Sequence, residues 1–287
     1  VKTYLDCYPC FLRQALDAAR YSGADDDQQR VVLLLALDAL RSLDPASTPP
    51  EIGDVIHGIV RRETGATDPY ARAKKEATQQ ALALYHRLKA IVGEAPDPLE
   101  TAIRLAIAGN IIDLAPSSVY DLWATVERVL DQPFAVDDGP AFREALVATD
   151  GILYLADNAG ETVFDRVLIE TLGHPVTYAV KGGPVLNDAT MEDAIAAGLE
   201  LAAEVVSTGS EAPGTVLRLC SAEFRRRYEK AQMIIAKGQA NYETLSGEGD
   251  RLFFLLQTKC AVLAQDVGAP QGSIILKQGS GSNGGGR

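Results

Sequence analysis

Asp157 and Asn158 stand side by side directly after the apolar run 152–156, and Ala159, Gly160 and Glu161 complete the turn before a helical pattern begins. Carboxylate and carboxamide oxygens are hard donors, suited to magnesium, manganese or a similar divalent ion rather than to a thiol-seeking metal. A second polar cluster, from Lys181 to Thr190, follows the apolar segment 176–181. If both segments are parallel strands, both turns open on one sheet edge, and Asp188 comes within reach of Asp157 and Asn158. A competing use of Asn187 or Asp188 is to cap the helical stretch MEDAIAAGLE, and the DNAGE turn can itself be a plain cap. A third cluster runs from Lys237 through Gly238, Gln239, Ala240, Asn241 and Tyr242 to Glu243. A lysine at a strand end, next to the first amides of a helix, is an arrangement that binds anions, and its natural target is a phosphate. Any one such lysine can be a mere surface residue. Lys181, Lys237 and Lys259 all close strand-like segments and would gather at the same edge.

The segments that must position these residues fall into two halves. Up to about residue 130 the pattern is helical, with apolar positions at helical spacing in 8–19, 28–43, 51–63, 70–92 and 98–112, and a further helix capped by Ser117 or Ser118 through 129. From Gly151 the pattern alternates strands with helices. The strands are expected at 152–156, 176–181, 204–207, 233–236, 253–256 and 273–277. The fold class expected is therefore α/β: a helical N-terminal part, 1–136, on a three-layer, Rossmann-like α/β/α domain, 137–278, with a mainly parallel sheet. The last stretch, 279–287, has no apolar side chain and is expected to be flexible. No internal repeat is visible.

Composition narrows the function classes. A formal net charge of -12 argues against an electrostatic grip on nucleic acid or on an anionic membrane. It leaves room for a small anion, because a bound cation and a few local lysines can reverse the field inside one cleft. No apolar run approaches the roughly 18 residues of a membrane span and the N-terminus lacks a signal-peptide pattern, so a cytoplasmic location is expected. The four cysteines do not form the framework of a secreted mini-protein. Cys7 and Cys10 form a CxxC at the start of the first helix. With Cys260 they would make a three-thiol cluster with a redox or soft-metal role, the alternative being three reduced thiols packed between the two halves. Cys220 reads as helix core, and His57, His86 and His174 lie in unrelated stretches.

The motifs YLDCYPCFLRQAL, DPYARAKKEA, IAGNIID, DNAGETVFD, KGGPVLNDAT and KGQANYETL, in this order and spanning nearly the whole chain, resemble the damage-control phosphatase family, long classed as domain of unknown function 89. The likeness is to its short archaeal and prokaryotic branch. It implies a helical part packed on an α/β/α domain and a divalent metal supporting hydrolysis of phosphate monoesters such as sugar phosphates. Carried onto this chain, it implies that Asp157, Asn158 and Asp188 bind the metal, and that Lys237 contacts the phosphate. Asn110, Asp113 and Glu161 line the cleft, with Lys181 and Asn241 on the substrate side. Asp188 or Glu161 would act as general base toward a water. Oxygen ligands admit manganese, magnesium, nickel or cobalt. Asn110 and Asp113 have a simpler use as a helix-end hydrogen-bond network.

Two other classes compete. One is a non-enzymatic or redox metal-binding module built on Cys7, Cys10 and Cys260; the other is a nucleotide-dependent transferase. The chain lacks both the G-x-G-x-x-G pattern and the GK[ST] of a phosphate-binding loop, which counts against common nucleotide binders. The expected partner is a small phosphate ester, with no nucleic acid and no membrane. Oligomeric state is open.

Overall fold

The computed structural model describes residues 1–44, 46–111 and 122–281. In chain order the elements are α1 (Cys7–Tyr21), α2 (Asp26–Arg41), α3 (Pro49–Thr64), α4 (Ala71–Glu94), α5 (Pro98–Ile111), α6 (Leu122–Asp131), β1 (Phe134–Asp137), α7 (Gly139–Ala148), β2 (Ile152–Leu155), α8 (Thr162–Leu172), β3 (Val176–Val180), α9 (Met191–Ala196), β4 (Glu204–Ser207), α10 (Ala222–Lys230), β5 (Met233–Lys237), α11 (Gly238–Leu245), β6 (Leu252–Gln257), α12 (Ala261–Val267) and β7 (Ile274–Gln278). Helix boundaries follow local chemistry. Asp25 and Gln28 form a reciprocal capping box at the start of α2, and Thr48, followed by Pro49 and with Glu51 three residues on, does the same for α3.

The seven strands form one sheet in the order β1-β7-β6-β5-β2-β3-β4, parallel throughout except for the β6–β7 pair. Strand residues alternate between two cores, as the two-residue period of a strand requires. Ile152, Tyr154, Tyr178, Ile235 and Phe253 face α4, α5 and α8. Leu153, Leu155, Ile234 and Phe254 face the layer that contains Phe224 of α10, Tyr242 of α11 and Leu263 of α12. The expected three-layer α/β/α architecture is present, with helices from the N-terminal half supplying one of its layers.

That contribution divides the helical half. Helices α1–α3 enclose a core of their own around Phe11, Val32, Ile52 and Ile56. Helices α4–α6 share the sheet's core instead. Residue 136, the expected end of the helical part, lies inside β1, which pairs with β7. A four-residue strand with alternating exposure carries too little apolar signal to be read as one. At the other end, Gly279 N–H donates to the Leu252 carbonyl and Gly281 bridges Glu248, so the first residues of the expected flexible tail are attached to the fold; residues 282–287 lie outside the described residues. Among the described residues, no helix is long and apolar enough to cross a membrane.

Candidate functional site

β2 pairs with β3 on one side and with β5 on the other. The chain runs outward through β3 and β4, then resumes at β5, so the carboxyl ends of β2 and β5 flank a topological switch point. Open α/β sheets form their ligand crevice at such a point, because the connections leave it in opposite directions. The turn 157–161 leaves β2 there, and Lys237 with Gly238 closes β5.

Loop 181–190 folds over the first turn. Asn158 and Asp188 form an antiparallel bridge, Ala159 N–H donates to the Asn187 carbonyl at 2.8 Å, and Ala189 N–H donates to the Asp157 carbonyl at 2.7 Å. Asp157, Asn158 and Asp188 thus come together. Neither Asn187 nor Asp188 caps α9. Thr190 holds that position, its N–H and Oγ1 donating to Asp193 Oδ2 at 2.9 and 2.7 Å. Lys74 of α4 binds the same oxygen at 2.9 Å and Asp68 at 2.8 Å, so an ion triad centred on the buried Lys74 ties the far end of the loop to α4. Asn158 does hold a cap position, at the 3₁₀ turn Ala159–Glu161, while also belonging to the cluster.

Lys237 lies on the same face of β5 as Met233 and Ile235, and therefore points under α8. Fully buried, its Nζ donates to Glu161 Oε2 at 2.9 Å and Asp165 Oδ1 at 2.6 Å. Tyr154 and Tyr178 donate to the two oxygens of Asp165 at 2.7 and 2.8 Å. The ammonium expected to face an anion at the strand end is turned into the fold by strand parity. Burial works against its charge, but Asp165 and Glu161 raise its pKa above the ordinary lysine value.

Glu161 is also engaged: Asn110 Nδ2 reaches its Oε1 at 2.8 Å and Asn158 Nδ2 reaches the same atom at 2.5 Å. With Lys237 on the other oxygen, both oxygens of this acid are engaged in orienting its neighbours. Asn110, at the end of α5, also donates to Asp157 Oδ2 at 2.8 Å, and its own Oδ1 is buried without a hydrogen-bond partner. Asp113 lies outside the described residues. Asn241, expected on the substrate side, is fully buried; it donates to the Ala156 and Lys237 carbonyls at 3.1 and 2.8 Å and accepts from Thr215 Oγ1 at 2.7 Å. It fastens the ends of β2 and β5 to each other. Lys181 is buried as well, donating to the Gly214 carbonyl and standing 3.3 Å from Asp188 Oδ2. That approach is an ion pair without hydrogen-bond alignment, so Asp188 Oδ2 has no hydrogen bond.

Charge does not balance at this edge. Asp157, Glu161, Asp165 and Asp188 are buried around two buried lysines, Lys181 and Lys237. Burial, then Glu161 and Asp188, push the Asp157 pKa well above the carboxylate range, while Lys259 and Lys181 pull it down. Burial raises Asp188 to about 6 despite Lys181. The backbone is shaped around the same acid. Gly238 has φ +78, and a Cβ built on it would stand 1.9 Å from Asp157 Oδ2, so no other residue fits beneath that carboxylate.

The donor set suits a divalent cation. A buried excess of acid over base is costly without a counter-charge, and Asp188 Oδ2 has an unused lone pair. Among the described residues, no three His, Cys, Asp or Glu side chains are already drawn together into a ligand set; Asp157, Asn158 and Asp188 offer two carboxylates and an amide instead. Asn158 turns its Nδ2 toward Asp157 and Glu161, and its amide oxygen is the atom an ion would take.

The thiols form a different group. All four cysteines are unbridged. Cys7 and Cys10 both feel the charge of Cys260 and Glu243, which puts these groups in one neighbourhood. Burial raises the pKa of both thiols, contrary to the activation that reactive cysteines need. Cys220 is buried and pushed up to about 11 by that burial.

Sequence reasoning does not single out Asp165, Tyr154, Tyr178 or Lys74. A signal exists for three of them. Glu161 and Asp165 are four apart at a helix start, and Tyr154 and Tyr178 are register partners on adjacent strands.

Comparison with known proteins matches residues 3–275 to the model of the damage-control phosphatase ARMT1-like domain. A damage-control phosphatase of Pyrococcus horikoshii is 35% identical over 282 residues, covering 96% of this chain and 97% of that protein. One from Archaeoglobus fulgidus is 33% identical over 231 residues, covering 77% and 80% of the two chains. The crystal structure of a DUF89 family protein from Pyrococcus horikoshii superposes with a TM-score of 0.89 at 34% identity, over 98% of this chain and all of that one.

Proposed function

This chain belongs to the damage-control phosphatase ARMT1-like domain family, and on that premise we propose that it is a metal-dependent phosphomonoesterase acting on small phosphorylated metabolites, sugar phosphates among them. The observation that carries the metal requirement is the excess of buried carboxylates over buried lysines at the switch point. Asp157, Asn158 and Asp188 would hold the ion, and manganese, magnesium, nickel or cobalt all accept such oxygen donors. When bound, a divalent ion neutralises phosphate charge and orients the ester for in-line displacement.

The chain's own residues supply the remainder. Asn110 fixes the Asp157 carboxylate, and Gly238 lets it lie against the backbone. Lys237, itself held by Asp165, anchors Glu161, which in turn holds the amides of Asn110 and Asn158. Of the two candidate general bases, Glu161 is held by three side-chain donors, and we assign proton acceptance to the Asp188 carboxylate. Lys237 and Lys181 point inward, so we assign the phosphate oxygens to Lys259. That lysine is partly exposed at the exit of β6 and close enough to Asp157 to stabilise its charge.

Phosphate release is to be measured over sugar phosphates, nucleotides and phosphopantetheine-like esters, with chelated protein and with each of the four ions restored. Hydrolysis only on ion addition, lost in a folded Asp188→Ala and weakened in Lys259→Ala, is the expected result. Undiminished turnover in chelated protein would overturn the metal requirement, and no turnover of any ester would overturn the phosphatase reading.

A further inference from the structure

The two ends of loop 181–190 are held by the cluster and by α4, but its tip is held by a different body. Arg61 of α3 donates through Nη1 to the Pro184 carbonyl at 3.1 Å and pairs through Nη2 with Glu211 at 3.2 Å. Leu186 packs against the separate core of α1–α3. It also has φ 46, the one positive φ outside glycine among the described residues. A leucine in the left-handed region is strained and persists only where its surroundings hold it there. The hold on Leu186 is its half-buried apolar side chain packed against the core of another body. Asp188 follows two residues later, and its N–H donates back to the Val185 carbonyl at 3.1 Å, so tip and acid form one tight turn.

We propose that Leu186 and Arg61 are positioning residues through which the α1–α3 body sets the placement of Asp188 against Asp157 and Asn158. The consequence for metal binding rests on the function proposed above; the restraint on the turn does not. Without the apolar anchor, the tip of the loop is tied to the α1–α3 body through Arg61 alone, and the turn carrying Asp188 opens more readily. The helical body then serves as more than a cover, since the geometry of the donor set depends on its packing.

Hydrogen exchange of the metal-free, 287-residue chain tests the restraint with three variants. Leu186→Asn suits the left-handed backbone but lacks the anchor, Leu186→Met keeps an anchor of similar size, and Arg61→Ala removes the second hold. Exchange of the Asp188 and Ala189 amides is expected to rise about tenfold or more in L186N and R61A, with the Tyr154 amide in β2 unchanged and L186M close to wild type. Manganese affinity, read by electron paramagnetic resonance, is expected to fall about tenfold in L186N and to be retained in L186M. Unchanged exchange at Asp188 and Ala189 in L186N and R61A overturns the inference, as does an L186M that behaves like L186N. If L186N also loses protection at Tyr154, R61A reads the same restraint with the core intact. Faster exchange at the turn in a protein whose wild type binds no manganese supports the restraint and removes the metal reading instead.

Discussion

Replacing Lys237 with methionine separates a structural counter-ion from a phosphate contact. In the native fold its ammonium lies 2.9 Å from Glu161 and 2.6 Å from Asp165, and all three side chains have no solvent exposure. Methionine keeps most of the volume, so the loss is electrostatic. Removing one member of a buried ion pair costs about 3–5 kcal/mol, because the partner charge stays buried. Asp165 keeps two tyrosine donors and Glu161 keeps two asparagine donors, which places the expected loss near the low end, about 3 kcal/mol. Against a total stability of about 5–15 kcal/mol the variant still folds, with a clearly lower urea midpoint. Unfolding should be followed in chelator, so that no cation replaces the lost charge. Adding Asp165→Asn removes one of the stranded acids, and the cycle should show a coupling of about 1.5 kcal/mol or more. A K237M protein within about 0.5 kcal/mol of wild type, without coupling to D165N, would refute the anchor role and return Lys237 to the anion-facing role suggested by its place after a strand.

Three further outcomes follow from the same geometry. Gly238→Ala combines a disallowed φ of +78 with a Cβ 1.9 Å from Asp157 Oδ2; it should destabilise by more than about 1 kcal/mol and abolish phosphate release even where the protein remains folded, as checked by thermal melting beside activity. Asp157→Asn should remove activity yet leave the metal-free protein at least as stable as wild type, because it deletes one of several mutually repelling buried acids; a large loss of stability in chelator would count against the charge imbalance. Glu243 provides a pH test away from the cluster. Burial raises its pKa to about 7 from an ordinary 4.5, so the favourable, protonated state is complete below pH 4.5 and its contribution is lost as pH rises through about 7. Up to about 3 kcal/mol of stability should disappear across that window, and Glu243→Gln should flatten the curve; identical pH profiles for the two proteins would contradict the assignment.

The site is built in two shells of different character. Asp157, Asn158 and Asp188 come from the two turns at the switch point. Asn110, Asp165, Lys237 and Asn241 are buried on helices and strand ends, and with Glu161 at the close of the first turn they direct their hydrogen bonds at those turns or at one another. Rigid elements hold the inner network while loop 181–190 is restrained from three sides, by the turn 157–161, by α4 and by α1–α3. Such division of labour gives a precise donor set without requiring the donors themselves to lie in secondary structure.

Much was legible in the residues alone. Short apolar runs between helical stretches marked six of the seven strands, and helical spacing marked the first six helices, although the cap expected for the sixth at Ser117 or Ser118 lies outside the described residues. The grouping of Asp157, Asn158 and Asp188 followed from two turns sharing one edge of a parallel sheet. What local pattern could not supply was direction and partnership. Lys237 and Asn241 sit in a motif that looks solvent-facing, but residue parity on β5 and the helix covering that face turn the lysine inward to Glu161 and Asp165. Helices α4–α6 carry the same periodicity as α1–α3, yet only the tertiary structure assigns one set to the sheet and the other to a separate core. The sequence determined which residues could do the chemistry, since that depends on type and spacing; the tertiary structure decided which of them gather at the turns of the sheet edge and which are turned into the fold, since that depends on what packs across from each side chain.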